Sequence, residues 1–138
     1  MNVVIIDGQG GLLGAQLVKE ISAQFPDLTL TAVGTNTAAT TAMLKAGAKN
    51  AATGENPVLV ACRKADVIIG PVAIVIADSL LGEITAQMAL AVARADATRI
   101  LIPMNKCENL VAGVGELTMT AMLEDVMLRL SRLLEGHC

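Results

Sequence analysis

Val3-Val-Ile-Ile-Asp-Gly-Gln-Gly-Gly-Leu-Leu-Gly14 is the stretch on which the reading of this chain turns. Four consecutive β-branched aliphatic residues predict a strand buried on both faces. A glycine-dense turn follows, and a helical pattern begins directly after it. Strand, glycine loop and helix in that order build a cradle for an anion, because the loop's backbone N–H groups and the positive end of the helix dipole converge there. Glycine suits such a loop: a Cβ would block close approach of the anion, and turns of this kind often need φ > 0.

Working outward, the first helix spans about residues 11–24, with Leu13, Leu17, Val18 and Ile21 as its inward stripe. Phe25-Pro26-Asp27 ends it. A second strand covers 28–33 and closes on Gly34-Thr35-Asn36. Asn36 or Thr37 caps a second helix through Lys45, with Gly47 as its stop. Residues 48–53 read as a short edge strand. Asn56 as N-cap and Pro57 at the first helical position predict a third helix to about Lys64. A strand follows from residue 65 or 66 to Gly70. The apolar run 72–77 is a short strand or a helical turn, which periodicity does not separate. A helix from Ser79 or Thr85 to about Ala95, a strand over 99–102 and a final helix over about 117–134 complete the chain. Strands alternating with helices predict one three-layer, Rossmann-like domain over residues 1–138. Its doubly wound, mainly parallel sheet has about five strands, with helices on both faces.

Composition agrees with that class. The chain has 138 residues, 54% of them apolar, and a mean hydropathy of +0.61, as a sheet buried on both faces requires. No uncharged apolar run approaches the roughly 18–20 residues of a membrane span. A strand beginning at residue 2 or 3 leaves no room for a basic leader. Cys62, Cys107 and Cys138 are too scattered for a disulfide framework or a zinc site, so a reducing cytoplasm is expected. A net charge of −3, dispersed basic residues and a single aromatic, Phe25, argue against a nucleic-acid partner.

The glycine loop approaches the dinucleotide fingerprint Gly-x-Gly-x-x-Gly without matching it. Gly8-Gln9-Gly10-Gly11-Leu12-Leu13-Gly14 fits with one extra residue, or with Gln9 in the place of the first glycine. A triphosphate-binding loop of the Lys-Ser/Thr type fails, because Ala15-Gln16 stand where the ammonium and hydroxyl belong. The plainer alternative is a strand-to-helix turn whose glycines serve packing. Asp7, at the strand's end, either caps that turn or holds a ribose, a base amine or a metal. After the second strand, Gly34-Thr35-Asn36 replaces the acidic residue usual in NAD sites. These neutral groups suit a ribose and do not repel a 2′-phosphate, while Asn36 also suits a helix cap.

Ligands of open α/β sheets collect at the carboxyl ends of the strands. That position makes Gly70, Pro71 and the loop Asn105-Lys106-Cys107-Glu108-Asn109 further candidates. Cys107 beside Lys106 has the setting of a lowered thiol pKa, although a lone loop cysteine is more often inert. Asp78 and Glu83 read as serving the dipole and cap of the next helix. His137, the only histidine, lies beside the C-terminus, which removes the commonest general base.

Six blocks together resemble a group of small bacterial proteins classed as a domain of unknown function. They are Val3–Gly14, Thr31-Ala-Val-Gly-Thr-Asn36, Thr53-Gly-Glu-Asn-Pro57, Asp66-Val-Ile-Ile-Gly-Pro71, Ile76-Ala-Asp-Ser-Leu-Leu-Gly-Glu83 and Ile100-Leu-Ile-Pro103. The similarity spans nearly the whole chain. It implies one compact Rossmann-like domain and supplies no catalytic residues. A resemblance to NAD(P)-binding oxidoreductases rests on the glycine loop alone.

Three readings follow. In the first, the chain binds NAD(P) or another nucleotide through Asp7, Gly8, Gln9, Gly10, Gly11, Leu12 and Gly14, with Gly34, Thr35, Asn36, Gly70 and Pro71 around the ligand. In the second, it is an NAD(P)-dependent oxidoreductase whose active site is completed at a dimer interface. In the third, it is a non-catalytic interaction protein with a degenerate nucleotide site. The final helix carries Met119, Met122, Leu123, Val126, Met127, Leu130, Leu133 and Leu134, a stripe that serves as core or as a homodimer seam.

Overall fold

A computed structural model describes residues 1–104 and 108–136. The elements run β1 (Asn2–Asp7), α1 (Leu12–Gln24), β2 (Thr29–Gly34), α2 (Thr37–Lys45), β3 (Asn50–Thr53), α3 (Glu55–Lys64) and β4 (Val67–Pro71). A 3₁₀ turn (Val72–Val75), α4 (Ala86–Arg94), β5 (Thr98–Ile102) and α5 (Met119–Leu134) complete the order. The strands form one sheet in the order β3-β2-β1-β4-β5, and every pairing is parallel. Parallel neighbours need crossovers, and the helices supply them on both faces.

β1 shows why its four apolar residues belong together. Val3 and Ile5 point into a core shared with Leu17 and Ile21 of α1, Met43 of α2 and Leu130 of α5. Val4 and Ile6 point the other way, onto Val58 of α3, Ile74, Leu80, Ile84 and Met88. Alternate residues therefore fill two different cores, and no position from Val3 to Ile6 has room for a polar side chain.

Chain order reverses between β1 and β4, because β2 and β3 lie to one side of β1 while β4 and β5 lie to the other. That switch places the β1–α1 loop at the carboxyl end of the sheet where strand order reverses, the position where open α/β sheets hold their ligands.

Several expected boundaries move. α3 opens at Glu55 after Gly54 at φ 109°, so Asn56 is not its cap and Pro57 is its third residue. Proline is tolerated there because the first-turn N–H groups have no intrahelical partner. The run 72–77 is a 3₁₀ turn followed by extended backbone at Ile76. Thr85, not Ser79, caps α4, its hydroxyl accepting from the Met88 N–H at 3.1 Å; the Ser79 hydroxyl donates instead to the Ala73 carbonyl at 2.6 Å. The last helix starts at Met119 under a Thr118 cap. Its stripe is core, with Leu123, Val126, Met127 and Leu130 buried and Met119, Met122 and Leu133 packed against them. Among the described residues no helix is long and apolar enough to cross a membrane.

Candidate functional site

β1 delivers Asp7 to the start of the loop, where its buried carboxylate is used twice. Oδ1 accepts the Gly8 N–H at 2.8 Å and Oδ2 accepts the Gly14 N–H at 2.7 Å. The N-cap position of α1 is Gly11, which has no side chain to offer, so Asp7 caps the helix from the strand before it. Burial pushes the Asp7 carboxyl above the usual range against the pull of the two N–H bonds, and the charge of Glu83 adds to the rise. Both oxygens are engaged inside the loop, which is the local capping role expected of this residue.

The loop closes with the Gly11 N–H donating to the Gly8 carbonyl at 3.0 Å. Gly11 is left-handed at φ 72°, and a Cβ there would stand 2.6 Å from Ala39 Cα, so the start of α1 rests on the α2 backbone. A Cβ on Gly14 would meet Met43 Sδ at 2.6 Å, and one on Gly8 would meet Thr35 Oγ1 at 2.6 Å and Leu80 Cδ1 at 2.9 Å. Three of the four loop glycines therefore allow close packing. Gly10 is different: nothing lies within 4 Å of the place a Cβ would take. The packing bonds also leave the N–H groups of Gly10, Leu12 and Leu13 without a hydrogen-bond partner among the described residues. Gly10 is exposed, as is Leu12 at 65%.

Across the loop stands a residue that sequence reasoning assigned elsewhere. Glu83 does not serve the α4 terminus. Its Oε1 accepts from the Gln9 N–H at 2.9 Å, the Thr35 hydroxyl at 2.7 Å and the Asn36 side-chain amide at 2.6 Å. Burial pushes the Glu83 carboxyl up, but the bonds from Thr35, the Gln9 N–H and Asn36 outweigh it and hold the group below its usual range. The carboxylate that meets the residues following β2 thus comes from the β4–α4 connection. Two polar side-chain donors directly after β2, Thr35 and Asn36, with no acid in the adjoining sequence are the signal that could have pointed to it.

Asn36 holds both roles open to it in the sequence. Its Oδ1 caps α2 by accepting from the Ala39 N–H at 2.8 Å, while Nδ2 donates to the Gln9 carbonyl at 2.9 Å and to Glu83. Gly34 and Gly70 are buried where α2 and β1 approach, against Thr40 and Ile6. Pro71 is buried at the end of β4. Asp78 is exposed and left-handed at φ 65°. Cys62 is buried, and burial pushes its thiol up, which suits an inert side chain. Asn105, Lys106, Cys107 and His137 lie outside the described residues.

A cavity of about 520 Å³ lies between the outer edge of β5 and α5, with Ile100, Ile102, Val114, Leu117, Met122 and Leu133 in its lining. It shares no residue with the glycine loop.

A five-stranded parallel sheet in this order, with a glycine turn at the carboxyl end of its central strand, defines a Rossmann-like α/β protein. Within that class the chain belongs to the family described as Domain of unknown function (DUF3842), whose model matches residues 2–135. No curated protein matches the chain in sequence. Among solved structures, it is similar to a dodecameric FMN-dependent UbiX-like decarboxylase from Escherichia coli O157:H7. That similarity has 16% identity and a TM-score of 0.41, and covers 100% of this chain and 77% of that one.

Proposed function

We propose that this protein binds a phosphorylated nucleotide at the carboxyl end of β1, with the phosphate on the N–H groups of Gly10, Leu12 and Leu13. The observation that carries the reading is that these three donors have no hydrogen-bond partner among the described residues, at the positive end of a 13-residue helix. The helix dipole and oriented amides favour an anion there, and the loop lies where strand order reverses. NAD(P) and mononucleotides are the ligand classes to test.

The test is thermal melting against NAD, NADP, FAD, FMN, ATP, GTP and their monophosphates, with and without Mg²⁺. A ligand at about 100 times its Kd stabilises by about 2.7 kcal/mol, which is several degrees for a domain of this size. Gly10→Asp is the diagnostic variant, because its side chain enters open space and sets a carboxylate beside these donors. Gly11→Asp is unsuitable, since it collides with Ala39. A shift in the wild type that Gly10→Asp abolishes supports the proposal; no shift with any nucleotide contradicts it.

The interaction reading narrows to the outer face of α5, where Leu128 is 49% exposed. Self-association there is tested by the mass in solution of wild type and Leu128→Glu. A dimer that Leu128→Glu splits supports it, and a monomeric wild type overturns it.

A further inference from the structure

Glu83 sits on a segment built to aim it. Asp78, Leu80 and Leu81 are all left-handed, at φ 65°, 56° and 57°, followed by Gly82 at φ 88°. Left-handed backbone is rare for leucine and persists only where surrounding structure enforces it. Enforcement is visible here. Asp78 N–H donates to the Ile84 carbonyl at 2.7 Å, and Ile84 N–H returns to Ser79 at 3.2 Å. Leu80 and Ile84 are buried in the second core, at 2% and 0% exposure. Leu81, between them, is 99% exposed, so nothing its side chain touches explains the strained backbone. What the pinned segment does is present the Glu83 carboxylate to donors from two other loops.

Those donors have the character of an oxyanion seat. A backbone N–H, a hydroxyl and an amide converge on a single oxygen within 2.6–2.9 Å, an arrangement that stabilises negative charge. The seat is closed on the side of Gly8, where Leu80 Cδ1 and Thr35 Oγ1 both lie within 3 Å of where a Cβ on Gly8 would be. A terminal group fits such a place, whereas a phosphate bridging two parts of a ligand must continue on both sides.

We infer that the Gln9 N–H, the Thr35 hydroxyl and the Asn36 amide form a seat for one oxygen of a phosphate monoester, for which the Glu83 carboxylate is a built-in competitor. This rests on the nucleotide-binding reading above and narrows it to ligands ending in a monophosphate. Because Leu80 and Ile84 pin the backbone on either side, exchange requires a change of the Glu83 rotamer and not a movement of the segment. Competition of this kind raises the apparent Kd by the inverse of the fraction of time the seat is open.

The test is an NMR titration of the wild-type protein, Glu83→Gln and Glu83→Ala with inorganic phosphate, chloride serving as the ionic-strength control. The backbone amides of Gln9 and Thr35 and the side-chain amide of Asn36 are observed. The expected result is saturable, phosphate-specific shifts of these groups in Glu83→Ala, with a Kd at least about tenfold below the wild-type value. Glu83→Gln keeps shape and an acceptor but loses the charge, and is expected to fall between the two. It also preserves the test if Glu83→Ala fails to fold. Equal phosphate affinity in wild type and Glu83→Gln, or shifts that avoid these three residues, overturns the inference. If phosphate takes the seat in Glu83→Ala but no nucleotide moves Gly10, Leu12 and Leu13, the nucleotide reading fails and the seat stands. If nucleotides bind wild type and Glu83→Ala equally, the seat falls and the nucleotide reading stands.

Discussion

The Asp7 carboxylate reaches across seven residues to the Gly14 N–H at 2.7 Å, so the strand that leads into the glycine loop also caps the helix that leaves it. This lets Gly11 occupy the N-cap position without a capping side chain. Removing the carboxylate in Asp7→Ala leaves two buried N–H groups unsatisfied. The expected loss is about 1–3 kcal/mol in urea unfolding. Asp7→Asn is also expected to destabilise, because its amide turns a donor toward one of the two N–H groups. Wild-type stability in both variants would show that the cap is dispensable.

The loop glycines divide into two kinds, and alanine distinguishes them. Gly11→Ala must hold φ 72° with a Cβ 2.6 Å from Ala39 Cα, and is expected to cost about 1–3 kcal/mol or more. Gly10→Ala meets no neighbour and is expected to be neutral, or to stabilise by up to about 1 kcal/mol through the unfolded state. Parallel thermal melts of the two variants read the contrast directly.

Leu81 offers the reverse experiment. It is left-handed and almost fully exposed, so glycine relieves strain there without losing packing. Leu81→Gly is expected to raise stability by about 1 kcal/mol, seen as a higher Tm. A lower Tm would mean that the segment does not hold this backbone conformation in solution.

Stability also has a pH signature at Glu83. Its carboxyl is held below the ordinary range in the folded protein. Stabilisation from that group is therefore complete above the unfolded value of about 4.3 and is lost as pH falls through the folded one. The stability advantage of wild type over Glu83→Gln is expected to shrink between about pH 7 and about pH 3. Asp7 acts in the opposite sense. Its raised folded value makes its contribution greatest below about pH 3.9, diminishing as pH rises through the folded value. Urea midpoints across that range for both Glu83 forms measure the first effect together with a smaller change at Asp7, because Glu83→Gln removes the charge that adds to the rise of the Asp7 carboxyl.

The central layer of the fold was legible because parallel strands buried on both faces must be apolar at every position. Val3 to Ile6 and Val67 to Ile69 admit little else. The C-terminal helix was legible as amphipathic, but whether its stripe met the sheet or a second copy was not. Leu130, expected as part of a core or a seam, is fully buried, and a polar substitution there would test folding before association. The start of α3 was misplaced because Asn56-Pro57 is a strong local signal. Gly54 carries its capping role through a left-handed φ that composition does not reveal. The candidate site was half legible. Gly8 to Gly14, Thr35 and Asn36 lie where strand ends put them. Glu83 joins them from 74 residues beyond Gln9 and 48 beyond Thr35, a juxtaposition made by strand order and not by any local pattern.

The most direct measurement is an amide NMR titration of the wild-type protein with the nucleotide panel, following Gly10, Leu12 and Leu13. The expected result is that these three amides move together along one saturable isotherm with at least one nucleotide and are unmoved by it in Gly10→Asp. Saturable shifts confined to the β5–α5 groove around Ile100 and Leu133, or no shift with any nucleotide, would contradict a phosphate site at the start of α1.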